Sequence, residues 1–180
     1  MKNAPLKSHY ALSTDTIIGF KQNGHCVVRN LASHDEITTY KNAIDEATME
    51  RRWDKRPIEE RDTYGKAFIQ SAALCNHSDK VKEFVFAQRF ARVAAELLGV
   101  DGVRLYHDQA LFKEGGGGIT PWHADQYYWP LESDKTVTAW IPLQETPLEM
   151  GPLEFSAGSQ AIVEGRELEI GDESEAIIQK

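Results

Sequence analysis

The interpretation of this chain's fold depends on one stretch, Thr120-Pro121-Trp122-His123-Ala124-Asp125-Gln126-Tyr127-Tyr128-Trp129-Pro130. Within it, His123 and Asp125 are two residues apart. On an extended backbone, side chains at positions i and i+2 point to the same face. An imidazole nitrogen and a carboxylate oxygen can then converge on one metal ion. Taken alone, a His-x-Asp pair is a weak signal, since most chance pairs are surface or hydrogen-bonding residues.

Two histidines and one carboxylate form the facial triad of non-haem Fe(II) oxygenases, which leaves metal positions open for a cosubstrate and O2. His123 and Asp125 could be one histidine and the carboxylate of such a triad. Its surroundings strengthen this interpretation, because the pair lies among aromatic residues and follows the glycine-rich loop 115–118. That loop lacks the Lys-Ser/Thr pair and the helix of a phosphate-binding loop, so a flexible lid is the preferred interpretation.

Composition excludes several other classes of function. The chain has 180 residues, of which 41% are hydrophobic and 27% charged, as in an ordinary soluble domain. Twenty Lys and Arg against 28 Asp and Glu give a net charge of −8, which disfavours nucleic-acid binding. Neither a membrane-spanning run nor a signal-peptide core is visible, so a cytoplasmic location and no membrane partner are predicted. Cys26 and Cys75 are interpreted as small core residues.

The first half of the chain has helical patterns with local start and stop signals. Ser13 or Thr14 could cap a helix that ends at Asn23-Gly24. Ser33 and Glu36 fit a capping box, which predicts a helix to about Arg51. The remaining predictions are a strand at 25–29, a loop at 56–63 and one helix from Ser78 or Asp79 to Gly99.

After Gly102 the pattern changes to short strands separated by turns. Strands are predicted at 103–113, 137–143 and 152–155, which favours a β-sandwich or barrel. The expected architecture is one mainly β domain over residues 1–180, helical in 1–102 and β-rich in 103–180. The end, 171–180, has the pattern of an opening amphipathic helix without a stop signal. We therefore expect the natural protein to continue beyond Lys180.

Three further motifs follow the His-x-Asp pair in order: Ala-Trp-Ile-Pro-Leu at 139–143, Gly-Pro-Leu at 151–153 and Ala-Gly-Ser at 157–159. From about Leu105 to Ser159 this series resembles the phytanoyl-CoA dioxygenase family, which includes ectoine hydroxylase-like enzymes. The family pattern is W-H-x-D, A-W-I-x-L, N-G-P-L or N-G-C-L, and P-G-S-H. This chain departs from it with Met150 for Asn, Ala157 for Pro and Gln160 for His.

The resemblance implies a double-stranded β-helix, a jelly-roll or cupin-like barrel, that is incomplete at its C-terminal end in this chain. It also implies Fe(II) as the metal and 2-oxoglutarate as cosubstrate, with succinate and CO2 as coproducts of hydroxylation. His123 and Asp125 match the first two iron ligands. No histidine follows His123, so the third ligand is missing, and Arg166, the one later arginine, does not match the arginine that pairs with 2-oxoglutarate.

Strand parity and the resemblance together suggest further site residues. Three positions match those that line the cosubstrate pocket in the resembled family: Gln109, Lys113 and Trp140. The predicted substrate pocket consists of His107, Trp122, Tyr127 and Trp129. Each of these residues has a competing interpretation. Lys113 could be an exposed lysine at a strand end and His107 a structural histidine, and the tryptophans could simply pack in the core. No catalytic residue beyond the metal ligands is predicted.

The leading hypothesis is an Fe(II)- and 2-oxoglutarate-dependent dioxygenase that hydroxylates an unactivated carbon of a small organic substrate. Its partners would be that substrate and O2. The alternative is a non-catalytic small-molecule-binding or inactive barrel of the same ancestry, lacking the third iron ligand. A metal-independent scaffold is a third possibility. A Ser-His-Asp hydrolase is disfavoured, because Ser156 and Ser159 lie in no G-x-S-x-G elbow.

Overall fold

Helices make up most of the regular structure in the computed structural model, which describes residues 6–179. These residues are 43% helical and 5% strand, and the sheet they form has two strands. The prediction of a mainly β fold with a double-stranded β-helix is therefore wrong for these residues. The elements are α1 (Thr14–Asn23), α2 (His34–Arg51), α3 (Thr63–Ala67), β1 (Ile69–Ala72), α4 (Asp79–Val85), α5 (Gln88–Leu98), β2 (Gln109–Phe112) and α6 (Asp172–Ile178).

The ends of α1 and α2 confirm the capping signals in the sequence. The Ser13 hydroxyl accepts a hydrogen bond from the Thr16 backbone N–H at 3.1 Å. Gly24 closes α1 at φ 76°, a conformation that glycine adopts without steric cost. At α2, Ser33 and Glu36 each accept from the other's backbone N–H, which completes the predicted capping box.

The helix predicted from residue 79 to Gly99 is instead two helices. Ser78 caps α4 and Gly99 ends α5 in a left-handed conformation, as the signals indicate. Between them, Phe86 has ψ 19° and Ala87 has ψ 125°, so the helical hydrogen-bond pattern breaks there. Phe84 before the break and Val93 after it are both buried. The apolar pattern therefore continues across the break and does not signal the turn.

β2 is the one part of the predicted 103–113 strand that forms. It pairs antiparallel with β1, with Ile69 opposite Phe112 and Ala72 opposite Gln109. Ala110 and Phe112 pack against the core, while Gln109 and Leu111 are exposed on the other face. The alternation expected of a half-buried strand is therefore present over four residues.

The strands predicted at 25–29, 137–143 and 152–155 do not form within residues 6–179. A strand needs a partner for its backbone N–H and C=O groups, and the described sheet contains only β1 and β2. Some apolar side chains in these segments lie exposed, including Val27 at 71% and Phe155 at 56%, whereas Ile141 and Leu143 pack against the core without pairing as a strand. At the C-terminal end, the predicted helix does form as α6.

The core lies between α2, α4 and the β1–β2 pair. Its most deeply buried members are Tyr40, at 0% exposure, and Leu6 and Leu74, each at 1%. The full cluster is Leu6, Tyr40, Ile44, Ala47, Leu74, Val81, Phe84 and Ala87.

Among residues 6–179, every helix is too short or too polar to cross a lipid bilayer.

The turn at Ser159–Ala161 packs on the C-terminal end of α1. The Gln160 side-chain N–H2 donates to the Gln22 carbonyl at 3.1 Å and to the Lys21 carbonyl at 3.4 Å. Gly158 N–H donates to the Asn23 carbonyl at 2.9 Å. These carbonyls belong to the last turn of the helix, where no intrahelical donor is available. Gln160, which departs from the resembled pattern, thus caps α1 from a distant part of the chain.

We expect Gln160→Ala to lower the free energy of unfolding by about 0.5–1 kcal/mol, because two exposed helix-end carbonyls lose a protein donor. Gln160→Glu should destabilise more, since a carboxylate facing two carbonyls cannot donate. Urea denaturation would measure both, with the exposed Gln144→Ala as the matched control. Wild-type stability of Gln160→Glu would contradict this capping role.

Candidate metal centre

The predicted metal-binding pair lies where extended backbone meets a short turn. Residues 121–124 are not in a helix or strand, and Ala124 has φ −112° and ψ 121°, which is extended. Asp125 then begins the 3-10 turn Asp125–Tyr128. This geometry brings His123 Nε2 within 3.3 Å of Asp125 Oδ1. The i and i+2 side chains therefore face the same way, as the extended-backbone argument predicts.

Each member of the pair has a second partner that orients it. His123 Nδ1 lies 2.7 Å from the Pro121 carbonyl oxygen. A carbonyl can only accept, so Nδ1 carries a proton and Nε2 is the nitrogen available to a metal. Asp125 Oδ2 accepts from the Thr138 hydroxyl at 3.3 Å. The side chains are 27% exposed for His123 and 49% for Asp125, so the pair is open to a ligand from solvent.

The two pKa values move in the directions expected for an ion pair. Burial lowers the pKa of His123, but hydrogen bonds to Asp125 and Pro121 outweigh it and raise that pKa overall. The hydrogen bond with His123 is the main cause of a lowered pKa at Asp125, with Thr138 and His107 adding to it and burial opposing it. The raised pKa of His123 favours its protonated form beside the Asp125 carboxylate, and metal binding at Nε2 must displace such a proton.

The spacing of the two donor atoms suits two adjacent positions of an octahedral metal site. Two donor atoms at right angles, each about 2.1 Å from one metal, lie roughly 3 Å apart, close to the 3.3 Å between His123 Nε2 and Asp125 Oδ1. Neutral imidazole and carboxylate are the ligand types of the facial triad. Among residues 6–179, no group of three or more His, Cys, Asp or Glu side chains is close enough to hold a metal. The structure thus brings together the two predicted ligands, without a third such side chain beside them among these residues.

Gln109 lies on the exposed face of β2 in a small polar network. Its side-chain N–H2 donates to Gln70 Oε1 at 3.0 Å, and the Tyr64 hydroxyl lies 3.5 Å from the same oxygen. Burial is the main cause of the raised pKa of Tyr64, and the negative charge of Asp125 adds to it. The network is therefore within electrostatic reach of the metal-binding pair. Gln70 and Tyr64 were not predicted, because their sequence positions match no motif.

The other two predicted cosubstrate residues are in different surroundings. Lys113 Nζ lies 4.6 Å from the centre of the Phe68 ring and donates to the Gly118 carbonyl at 3.2 Å. Burial lowers the pKa of Lys113. Its ammonium thus contacts the glycine-rich loop that was interpreted as a lid. Trp140 is 43% exposed, so the competing interpretation of core packing does not describe its position.

The predicted pocket residues form two aromatic groups. His107 and Trp129 are 6.4 Å apart between ring centres, and Tyr106 packs edge-on against both. Tyr127, which is 44% exposed, packs edge-on against Tyr128 at 4.8 Å. Because His107 lowers the pKa of Asp125, the first group is near the metal-binding pair.

Trp122 is half-buried and is held through its backbone. Its N–H donates to Glu175 Oε2 at 2.8 Å, although Glu175 is 53 residues away in sequence. Neither Glu175 nor Thr138 was predicted as a site residue. One feature of the sequence could have indicated Thr138 as a site residue, because it lies on the same face as Trp140 in the predicted strand 137–143. Glu175 has no such feature, because its contact depends on how α6 packs.

Comparison with known proteins identifies the family of the chain. A family model described as phytanoyl-CoA dioxygenase matches residues 20–176 of the 180. No curated protein and no solved structure matches the chain significantly. The match covers α2, the β1–β2 pair, the candidate metal-binding pair and most of α6. The chain belongs to the phytanoyl-CoA dioxygenase family, whose members are in general Fe(II)- and 2-oxoglutarate-dependent oxygenases.

Proposed function

We propose that this protein is an Fe(II)- and 2-oxoglutarate-dependent dioxygenase that hydroxylates an unactivated carbon of a small organic substrate. The observation that carries the proposal is the 3.3 Å approach of His123 Nε2 and Asp125 Oδ1 in a chain of this family. In the overall reaction, one oxygen atom of O2 enters the substrate C–H bond. The other enters succinate, which forms from 2-oxoglutarate as CO2 leaves.

Fe(II) would be held by His123 Nε2 and Asp125, and when bound it would supply O2 activation coupled to decarboxylation of 2-oxoglutarate. The chain's own residues prepare this site. The Pro121 carbonyl keeps the proton on His123 Nδ1, which leaves Nε2 as the metal ligand. Thr138 holds one oxygen of Asp125 and leaves the other directed toward His123.

Lys113 and Gln109 are proposed to bind carboxylate oxygens of 2-oxoglutarate, by charge and by amide hydrogen bonding respectively. Desolvation lowers the pKa of Lys113, which supports this, because a partly desolvated ammonium gains from an anionic partner. Trp140 is proposed to contact the cosubstrate. His107, Trp122, Tyr127 and Trp129 are proposed to form the substrate pocket and to exclude water from it.

The carboxylate at Asp125 favours hydroxylation over halogenation. Related iron halogenases have a small residue at this position, which frees a metal position for chloride. Here the Asp125 side chain is oriented by two partners and its pKa is lowered, so it is an ionised ligand at neutral pH. We therefore assign no halide chemistry to this protein.

The proposal is tested with the full-length natural protein, reconstituted with Fe(II) without oxygen and then exposed to O2 and 2-oxoglutarate. We expect succinate to accumulate, faster when an accepted substrate is present in a broad screen of small organic molecules. Protein incubated with a chelator is the matched control. Absence of succinate under every condition, together with absence of Fe(II) binding, would refute an oxygenase function.

One observation favours a second candidate, a non-catalytic small-molecule-binding protein of the same ancestry. Residues 6–179 contain no group of three or more His, Cys, Asp or Glu side chains that could hold a metal, so the proposed ligands His123 and Asp125 have no third such side chain beside them. Two ligands hold Fe(II) weakly, so such a protein would bind 2-oxoglutarate or a related acid without oxidising anything. Calorimetry that detects 2-oxoglutarate binding in the absence of metal, together with no turnover in its presence, would support this candidate.

A further inference from the structure

The C-terminal helix α6 holds the metal-binding segment through one backbone peptide. Glu175 Oε2 accepts from the Trp122 N–H at 2.8 Å. That N–H belongs to the peptide unit whose carbonyl is Pro121 C=O. The same carbonyl accepts from His123 Nδ1 at 2.7 Å. Glu175 and His123 are thus hydrogen-bonded to opposite ends of one planar group.

A peptide fixed in this way orients the imidazole ring. The peptide bond is planar, so holding its N–H direction also sets the direction of its carbonyl. A hydrogen bond from the N–H to a carboxylate is charge-assisted, and bonds in a chain strengthen one another. The Pro121 carbonyl becomes a better acceptor for His123 Nδ1 as a result. Pro121 is itself fully buried, which limits movement of the peptide.

α6 is anchored firmly enough to act as a support. Ser174 is completely buried, and its hydroxyl bonds with both the N–H and the carbonyl of Gly171. Ile178 packs so closely on Gly165 that a Cβ there would lie 3.0 Å from its side chain. Glu173 lies on the same helix with an exposed side chain, so its substitution can serve as a control for substitutions of Glu175.

A second contact holds the other side of the metal-binding pair. The Ile170 N–H donates to the Tyr128 hydroxyl oxygen at 2.8 Å, and Ile170 is buried. Tyr128 ends the 3-10 turn that Asp125 begins. The segment 170–175 therefore holds the backbone before His123 and the turn after Asp125.

We infer that Glu175 is a positioning residue, which sets the orientation of His123 through the Pro121–Trp122 peptide. The inference rests on the proposed metal-binding function of His123. It extends to this chain the principle that a metal-ligating histidine is oriented by partners of its other ring nitrogen. Here the carboxylate acts on the histidine through a peptide instead of contacting it directly.

Metal affinity tests the inference, with Co(II) as the spectroscopic probe in the full-length protein. We expect Glu175→Ala to raise the Co(II) Kd by about tenfold and to alter the visible Co(II) absorption, as changes in outer ligand partners do. Glu175→Gln keeps an oxygen acceptor and should stay within about threefold of wild type. Glu173→Ala removes an exposed carboxylate from the same helix and should match wild type.

Amide hydrogen exchange of Trp122 in metal-free protein gives a readout that is independent of metal. Exchange at this amide should be about tenfold faster in Glu175→Ala and close to wild type in Glu175→Gln and Glu173→Ala. If wild type binds no Co(II), the proposed metal function fails, while the exchange data still decide whether Glu175 holds the peptide. Wild-type affinity and exchange in Glu175→Ala, or equal losses in Glu175→Ala and Glu175→Gln, would overturn the inference.

Discussion

Asp125→Ala is expected to reduce Fe(II) affinity of the full-length protein by more than about a hundredfold and to abolish succinate formation. Loss of an outer partner of a metal ligand costs roughly 10–100-fold in affinity, and loss of the ligand itself should exceed that. Asp125 Oδ1 is the oxygen that faces His123 Nε2, and residues 6–179 bring no cluster of three or more His, Cys, Asp or Glu side chains together that could replace it.

His123→Ala should have the same effect, because it removes the nitrogen that Pro121 orients toward the metal. Anaerobic Fe(II) titration and a succinate assay would measure both variants. Asp134→Ala, in the exposed segment that follows, is the matched control and should retain wild-type affinity. Undiminished Fe(II) binding in either site variant would show that the metal is held elsewhere.

Glu36→Gln is expected to lower the free energy of unfolding at neutral pH by about 3 kcal/mol. The Glu36 carboxylate accepts from both terminal nitrogens of Arg89, at 2.7 and 2.9 Å, and from the backbone N–H groups of Leu6 and Ser33. It therefore ties α2 to α5 and to the N-terminal segment. Its side chain is 18% exposed and that of Arg89 11%, so solvent screens the pair weakly.

The pKa of Glu36 gives the expected size and pH dependence of this effect. Hydrogen bonding to Arg89 is the main cause that lowers this pKa from 4.5 to about 2, against the opposing effect of burial. A depressed folded-state pKa contributes stability above the unfolded pKa, and that stability disappears as pH falls toward the folded pKa. A difference of about 2.5 pKa units corresponds to about 3 kcal/mol.

Denaturant unfolding at pH 7 and near pH 3 would measure this contribution. Wild type should lose stability over that interval, and Glu36→Gln should lose less, because its amide does not titrate. Glu46→Gln replaces an exposed carboxylate on the same helix and should change stability little at either pH. An identical pH dependence in Glu36→Gln and wild type would contradict the assigned role.

Predictions that rest on interactions between near neighbours in sequence agree with the structure. The Ser33 capping box and the Gly24 terminus need contacts over three or four residues, and both are present. The approach of His123 to Asp125 depends on only two peptide units. Such features follow from backbone geometry whatever the rest of the chain does.

Predictions that depend on distant partners are where sequence reasoning was wrong. Alternating apolar residues at 137–143 are typical of a strand, yet a strand forms only when another segment satisfies its backbone groups. The break of the predicted 79–99 helix at Phe86-Ala87 accompanies side-chain packing on both sides. Neither outcome has a signal within the segment itself.

The sequence by itself determined the ends of α1 and α2, the family and the proximity of His123 and Asp125. Tertiary structure alone decided what holds that pair in place, through Thr138, the Pro121–Trp122 peptide and Glu175. The reason is that residues two apart share a backbone whose geometry is known in advance. A carboxylate 53 residues away reaches the Trp122 amide only because α6 has packed beside it.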